Sequence, residues 1–401
     1  MTKQQKIIIF ILASINFTHI IDFMIMMPLG NYLMPAFKIS PEQFSRVVAS
    51  YSISAFFSGL VAMFYVDRFD RKKVVLFAYI GFLIGTFCCG IAPSHHLLLL
   101  SRVVAGLFGG ILGAQVLSIV SDSFSYENRG KAMGYLFSAF SLASVIGVPF
   151  SLFLAAKIGW HSPFFLVVGL GIFTLIGIIK FLPNFNDHLV DKQLRDSSLT
   201  ILKNILGKKL NLTAFALSAT LMLGHFLIIP FLNPYMQHNV GFKDWQRNLI
   251  YIVGGLVTIF SAPMAGKLAD KYGKHKVFTI FAAISLLPIL IITNLTQIPY
   301  YYALFITGIW FVCSTSRNIP AQALVSNIVP PQQRGSFQSF NSCITSAFVG
   351  LASLIAGKII TQDTNGKLHH YNVVGYISVC IVIIAIIIAR FIPKQEDIPK
   401  V

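Results

Sequence analysis

The chain of 401 residues is 55% hydrophobic and only 11% charged, against about 25% charged residues in an average soluble protein. A soluble fold cannot hide so much apolar surface, so lipid must be the solvent for most of the chain. The formal net charge of +17 does not indicate nucleic-acid binding, because the basic residues form short clusters between apolar runs rather than a stripe with interleaved aromatic residues.

Twelve apolar runs follow one another along the chain, each long enough for the roughly 20 residues of a spanning helix. They predict an all-α membrane protein with spans at residues 7–34, 44–66, 74–93, 97–123, 131–156, 162–184, 210–236, 246–268, 276–295, 298–326, 334–361 and 371–393. The first run is too long for a signal-peptide core, so we interpret it as a retained span. The polar stretch at 185–209 predicts a linker between a first half, 1–184, and a second half, 210–401.

Lysine and arginine residues are distributed unevenly between the two sides that twelve spans define. With the N terminus inside, 22 of them lie on the cytoplasmic side, seven lie outside, and two, Arg102 and Arg317, lie within spans. Because cytoplasmic loops carry an excess of basic residues, this distribution predicts that both termini are cytoplasmic. We therefore expect a multi-pass protein of a cell membrane, and specifically of a bacterial inner membrane.

Three short similarities recur between the two halves at nearly constant spacing. The pairs are Asp67 with Asp270 at an offset of 203 residues, Arg129 with Arg334 at 205, and Asn31 with Asn233 at 202. The two members of each pair stand at the same place in their halves, which indicates a duplicated six-helix unit. Transporters built from such repeats place the substrate site near the middle of the membrane, between the repeats.

The loop at residues 266–276, Gly-Lys-Leu-Ala-Asp-Lys-Tyr-Gly-Lys-His-Lys, resembles the loop signature of the major facilitator superfamily. The first half has a degraded copy, in which Met63 and Asp70 replace two glycines. The resemblance implies a conformational latch, in which small residues allow close helix approach and an aspartate accepts bonds from a helix N-terminus or pairs with arginine. The latch residues it implies are Asp67, Arg68, Arg71, Gly266, Asp270, Lys271 and Gly273. The alternative is that these charges only set the topology.

Two further segments carry the resemblance. Residues 102–106, Arg-Val-Val-Ala-Gly, are similar to the Arg-x-x-Gln-Gly element of the superfamily, with Ala105 in place of the glutamine. Residues 147–151, Gly-Val-Pro-Phe-Ser, are similar to the glycine- and proline-rich element of its drug:proton antiporter branch, although the glycine and proline are not adjacent. The resemblance implies twelve helices in two pseudo-symmetric halves, and export of small molecules driven by protons.

Asp22 is the only one of the 14 acidic residues that the sequence places in the middle of a span. A rise of 1.5 Å per residue puts it roughly 22 Å from the cytoplasmic side and puts Arg102 at a similar depth. Because an ionisable group within a span is a functional hypothesis by default, we hypothesise that Asp22 carries the coupling proton under the control of Arg102. The alternatives are a fixed ion pair, or a carboxylate that holds backbone groups at a helix break near Pro28.

Several other side chains within the spans are candidates for lining a substrate cavity. They are His19, Met26, Gln115, His225, Arg317, Gln338 and Asn341. Packing and polar contacts between helices are the alternative for each of them, and for Arg317 we favour bonding to backbone or cavity groups over substrate contact. The prolines at which we predict helix breaks are Pro28, Pro149, Pro230 and Pro320.

These features favour a secondary active transporter that exports small, amphipathic molecules in exchange for protons. The alternatives are a proton-coupled transporter of a specific metabolite, such as a sugar, amino compound or siderophore, and a non-transporting membrane receptor. The sequence carries no nucleotide-binding motif, metal-ligand cluster or nucleophile triad, so we expect neither an enzyme nor a cofactor. The expected partners are a small-molecule substrate, protons and the lipid bilayer, and we expect a monomer.

Overall fold

The computed structural model of the chain describes residues 2–65, 68–124, 126–185, 203, 205–326, 328–329 and 334–393. The helices up to the predicted linker are α1 (Lys3–Ile25), α2 (Gly30–Phe37), α3 (Pro41–Tyr65), α4 (Arg71–Gly90), α5 (His95–Ser123), α6 (Tyr126–Leu142), α7 (Val148–Lys157) and α8 (Ser162–Phe181). The helices after it are α9 (Lys209–Phe226), α10 (Ile229–His238), α11 (Asp244–Tyr272), α12 (Lys274–Thr293), α13 (Tyr300–Ser326), α14 (Arg334–Ile359) and α15 (Tyr371–Ala389).

The described helices confirm the predicted all-α membrane fold. Eleven spans, some made of two consecutive helices, are long and apolar enough to cross a membrane. The remaining predicted span, 298–326, coincides with α13, which has 27 residues but more polar side chains, and which packs between α11 and α12. Helices suit the lipid interior of a membrane because each backbone N–H and C=O group forms its hydrogen bond within its own segment. Lipid offers no hydrogen-bond partner to a group left free.

Three of the spans are interrupted, and a proline lies at each interruption. Pro28 lies in the turn between α1 and α2, and Pro230 is the second residue of α10, directly after the turn that follows α9. Pro149 is the second residue of α7 and follows a single π-helical segment, Ala143–Gly147. Proline causes such interruptions because it lacks an N–H group and its ring collides with the preceding turn.

The expectation of a helix break at Pro320 is wrong. Helix α13 runs through Pro320 without interruption, and Pro320 itself is buried. A spanning helix tolerates an internal proline where neighbouring helices and polar side chains satisfy the freed backbone group.

The first six spans pack against the last six along two seams. We call the side of the bundle where α1 begins the N-terminal face, and the other side the opposite face. Helix α3 lies along α14, and helix α11 lies along α7 and the π-helical segment. Small residues permit this approach: a Cβ atom at Gly357 would collide with the Oγ atom of Ser45, and one at Gly255 would lie 2.6 Å from Val145 Cγ2.

A short hairpin covers part of the opposite face. Its strands are β1 (Thr361–Gln362) and β2 (Leu368–His369), which pair antiparallel. The side chain of Asn239 fixes the hairpin by donating to the Leu368 carbonyl at 2.8 Å and accepting from the Leu368 N–H at 2.9 Å.

Helix α5 lies against α3 closely enough that only glycine fits at two contact points. A Cβ atom at Gly106 would collide with the Oγ atom of Ser54 and with the backbone carbonyl of Tyr51. A Cβ atom at Gly110 would collide with the backbone carbonyl of Ala55. These contacts set the distance between α3 and α5, the helix that carries Arg102.

We expect Gly106→Ala to lower the stability of the protein by about 1–3 kcal/mol, because the backbone of Tyr51 cannot move aside as a flexible side chain would. The matched control is Gly113→Ala on the same helix, where an added Cβ meets nothing within 4 Å. Thermal unfolding of both purified variants in detergent measures the difference. Equal melting temperatures would show that α3 and α5 separate easily.

Candidate functional site

The first-half site is a buried ion pair between α1 and α5. An Nη1 atom of Arg102 donates to Asp22 Oδ2 at 2.7 Å, and the Thr86 hydroxyl on α4 donates to Asp22 Oδ1 at 3.2 Å. The exposed fraction of the side chain is 0% for Asp22 and 1% for Arg102. The Arg102 guanidinium also lies over the Tyr51 ring, 4.3 Å from its centroid. Both carboxylate oxygens are therefore engaged, and the positive charge is shared with an aromatic face.

His19 lies one turn before Asp22 on α1 and faces the same cluster. The centroid of its ring is 6.1 Å from that of Tyr51 and 5.7 Å from that of Phe82. Neither His19 Nε2 nor the Tyr51 hydroxyl has a hydrogen-bond partner among the described residues. Both atoms point toward Gly109, because a Cβ there would lie 2.5 Å from the Tyr51 hydroxyl and 2.9 Å from His19 Nε2.

The second-half site is a buried arginine without a carboxylate. Arg317 on α13 is fully buried, and its Nη1 donates to the Ser285 hydroxyl on α12 at 2.7 Å. In the described part of the chain no acidic side chain forms an ion pair with it. His225 on α9 stacks on Trp310, two helical turns before Arg317, with ring centroids 5.0 Å apart. The structure thus brings two predicted cavity residues, His225 and Arg317, to one region.

The asparagines that the repeat had paired by position contact each other directly. Asn31 Nδ2 donates to Asn233 Oδ1 at 3.2 Å, and Asn233 Nδ2 donates to the Pro28 carbonyl at 3.4 Å. Nearby, the Arg247 guanidinium donates to Gln237 at 2.7 Å and lies 5.4 Å from the centroid of the Tyr32 ring. These contacts join α2 to α10 and α11, so they hold the first and last six spans together near the opposite face.

In the described chain no hydrogen bond, ion pair or ring contact links the remaining predicted cavity residues to either charge cluster. Met26 is buried in the turn that ends α1. Gln115 and Asn341 are buried on α5 and α14, each with a side-chain oxygen that has no hydrogen-bond partner in the described chain. Gln338 is partly exposed on α14.

The first predicted latch lies only partly within the described residues, since Asp67 falls outside them. Arg68 is exposed and Arg71 is buried as the first residue of α4. Asp70, which stands where the family signature has a glycine, caps α4: its Oδ1 accepts from the Lys72 N–H at 2.8 Å and from the Phe185 N–H at 3.1 Å. Asp70 thereby ties the start of α4 to the segment after α8.

The second predicted latch lies at the junction of α11 and α12. Gly273 has φ +90° between these helices, a backbone conformation that favours glycine. Gly266 has open space around it, and Asp270 is exposed without an ion pair in the described chain. The Lys271 ammonium lies 5.2 Å from the centroid of the adjacent Tyr272 ring.

The residues of these clusters that sequence reasoning missed include Tyr51, Thr86, Ser285 and Asp70. Asp70 had a readable signal, because an aspartate directly before a helical run is a preferred N-cap. Tyr51, Thr86 and Ser285 had none, since a single hydroxyl in an apolar span is common and its partner lies on another helix.

A bundle of apolar spanning helices with charged side chains buried inside it is typical of membrane transporters. The chain belongs to the Major Facilitator Superfamily, whose family model matches residues 12–316 and, in a second match, 214–400. It is therefore a multi-pass membrane transporter and not an enzyme.

Two relatives and one solved structure illustrate the similarity. Multidrug resistance protein 3 of Bacillus subtilis is 22% identical over 330 residues, which are 80% of this chain and 59% of that protein. The riboflavin transporter RibZ of Clostridioides difficile is 23% identical over 412 residues, covering 90% of this chain and 89% of that one. A bacterial homologue of the human lysosomal transporter Spinster, solved in an inward-facing and unoccupied conformation, has a TM-score of 0.74 at 15% identity, with 98% of each chain covered.

Proposed function

We propose that this transporter exports small amphipathic molecules in exchange for protons, by alternating access. The observation that carries the proposal is the buried ion pair of Asp22 and Arg102, in a family of secondary transporters. The similarity to a multidrug resistance protein supports export as the direction. Asp22 is the proton carrier in this scheme, and Arg102 controls it.

The proposed coupling follows from the energy of a buried charge. While Arg102 touches Asp22, the ionised carboxylate is paired, and Thr86 satisfies its second oxygen. If Arg102 moves toward a substrate or along with α5, the carboxylate loses its compensating charge in a low-dielectric interior. Removing one partner of a buried pair costs several kcal/mol, so separation is accompanied by uptake of a proton on Asp22. Return of Arg102 then expels that proton.

Residues 1–184 and 210–401 are the two rocking halves of this proposal, joined by the linker at 185–209. The contacts of Asn31 with Asn233 and of Arg247 with Tyr32 close the pathway at the opposite face. We propose that the N-terminal face is cytoplasmic, because the excess of Lys and Arg lies on that side. The loop signatures around Arg71 and Asp270 latch one of the alternating states, and the protein acts as a monomer in a bacterial inner membrane.

Proton flux driven by compounds tests the proposal. The purified chain is reconstituted in liposomes that contain a pH-sensitive dye, and cationic, neutral and anionic amphipathic compounds are added in turn. We expect some compounds to move protons through the wild-type protein and none to do so through Asp22→Asn. The control, Glu42→Gln, removes an exposed carboxylate whose ion-pair partner in the described chain is Arg46, and it should behave as wild type. Normal flux through Asp22→Asn would refute the proposed carrier.

The alternative function is transport of one specific metabolite, and the similarity to a riboflavin transporter favours it over a receptor. A broad exporter should respond to many unrelated compounds in the flux assay, whereas a metabolite transporter should respond to one chemical family. Susceptibility of a deletion strain to the same compounds separates the two functions in cells.

A further inference from the structure

One buried face of α13 presents hydrogen-bond donors that no acceptor among the described residues satisfies. Trp310 Nε1 and Arg317 Nε are buried and have no partner among the described residues, and the Ser314 hydroxyl between them is likewise buried and unpartnered. Residues separated by three, four and seven positions lie on one face of a helix, so these three groups form a single row. Indole and guanidinium N–H groups can donate only, so what they lack is an acceptor.

The charge of this row is also uncompensated. In the first half Arg102 is neutralised by Asp22 at 2.7 Å, whereas Arg317 has only the neutral Ser285 hydroxyl as a partner in the described chain. An unpaired guanidinium inside a membrane protein is expensive, and such groups normally pair or mark the path of a ligand. A ligand group that both accepts hydrogen bonds and carries one negative charge would satisfy the Arg317 end of the row.

His225 completes the surroundings of this row from α9. Its ring stacks on Trp310 at an interplanar angle of 18°, and its Nδ1 is buried without a hydrogen-bond partner in the described chain. The stacked rings supply an apolar wall beside the donors, which suits the hydrophobic part of an amphipathic molecule. The charged end would then lie against Arg317, about two helical turns or 10 Å away along α13.

We propose that Arg317, with the neighbouring Ser314 hydroxyl, binds a singly charged anionic group. The anion is either the carboxylate of an amphipathic cargo, whose apolar part lies against the stacked Trp310, or a halide ion. The cargo form rests on the proposed export function, since it names the charge class of the exported molecules. Arginine suits this task because its planar fork matches a carboxylate. The interior therefore favours anionic cargo over cationic cargo.

Tryptophan fluorescence gives a direct test, because the chain has three tryptophans and only Trp310 belongs to the site. Replacing Trp160 and Trp245 with phenylalanine leaves Trp310 as the sole reporter in the full-length protein. Cyclohexylacetate and its uncharged analogue cyclohexylacetamide are titrated in sulfate buffer. We expect the carboxylate to change Trp310 emission and the amide to bind roughly tenfold or more weakly. Equal binding of both compounds would overturn the proposal.

Substitution of Arg317 assigns the charge preference. In Arg317→Gln the carboxylate should lose its advantage over the amide, whereas in the control Arg46→Gln, at an exposed arginine, the advantage should persist. Arg317→Lys retains the positive charge and should keep part of the preference for the carboxylate over the amide. This variant provides the test if Arg317→Gln does not fold. A carboxylate preference that survives in a folded Arg317→Gln variant would overturn the proposal.

The two ligand sources are separated by repeating the titration with sodium chloride. If chloride changes Trp310 emission and displaces the carboxylate, and if both effects require Arg317, the site is a halide site that cargo can enter. Chloride without effect identifies a site for cargo carboxylates only. This test is independent of proton coupling: loss of flux in Asp22→Asn together with equal binding of acid and amide would refute the anion site alone.

Discussion

Replacing Arg102 with leucine is expected to lower the free energy of unfolding by about 3–5 kcal/mol, because it leaves the Asp22 carboxylate buried without its counter-charge. Thr86 remains as a hydrogen-bond donor, but a single hydroxyl at 3.2 Å cannot replace a charged partner at 2.7 Å. Thermal and denaturant unfolding of the purified protein in detergent measures the loss. Arg46→Leu is the matched control, since Arg46 and Glu42 are exposed and such pairs contribute about 0–1 kcal/mol.

The double variant Asp22→Leu with Arg102→Leu separates the charge effect from loss of packing. Replacing a buried ion pair by apolar residues is often neutral or stabilising, so we expect the double variant to recover most of the stability that Arg102→Leu loses. It should nevertheless fail in the proton-flux assay, because the proposed carrier is gone. If the double variant is as unstable as the single one, the two side chains are not coupled, and the ion pair does not control Asp22.

The positions of the spans could be read from the sequence because lipid imposes long apolar runs, and the helix bounds follow those runs to within a few residues. Which faces of the helices meet could not be read in the same way. A spanning helix is apolar toward lipid and toward its neighbours, so its periodicity does not mark the packed side. The contact of Thr86 with Asp22 and the bond of Arg317 to Ser285 both depend on such unmarked faces.

Depth along the membrane was more informative than periodicity. Counting residues from the span ends placed Asp22 and Arg102 at one level, and the structure brings them together. The same reasoning could not tell that Pro320 would leave its helix intact, because that outcome depends on neighbouring helices rather than on the proline. It also did not show that the equivalent residues Asn31 and Asn233 bond to each other across the two halves.

Joining α2 to α10 covalently is expected to abolish transport, because alternating access requires the two halves to separate at the opposite face. Asn31 and Asn233 are suitable positions: their side chains are buried and only 3.2 Å apart. The experiment uses Asn31→Cys with Asn233→Cys in a chain whose five native cysteines are replaced by serine. A short, reducible bifunctional thiol reagent then links the pair, and compound-driven proton flux is measured before and after reduction.

We expect flux to be lost on cross-linking and restored by the reductant, whereas each single-cysteine variant treated with the same reagent should keep its flux. The reversal excludes simple inactivation, and the single variants exclude a steric effect of the reagent. Since Arg247 and Tyr32 close the same region, the cross-link should reinforce a closure that already exists rather than distort the fold. Normal flux through the cross-linked protein would mean that cargo passes without separation of α2 from α10, and would refute alternating access by opening of this contact.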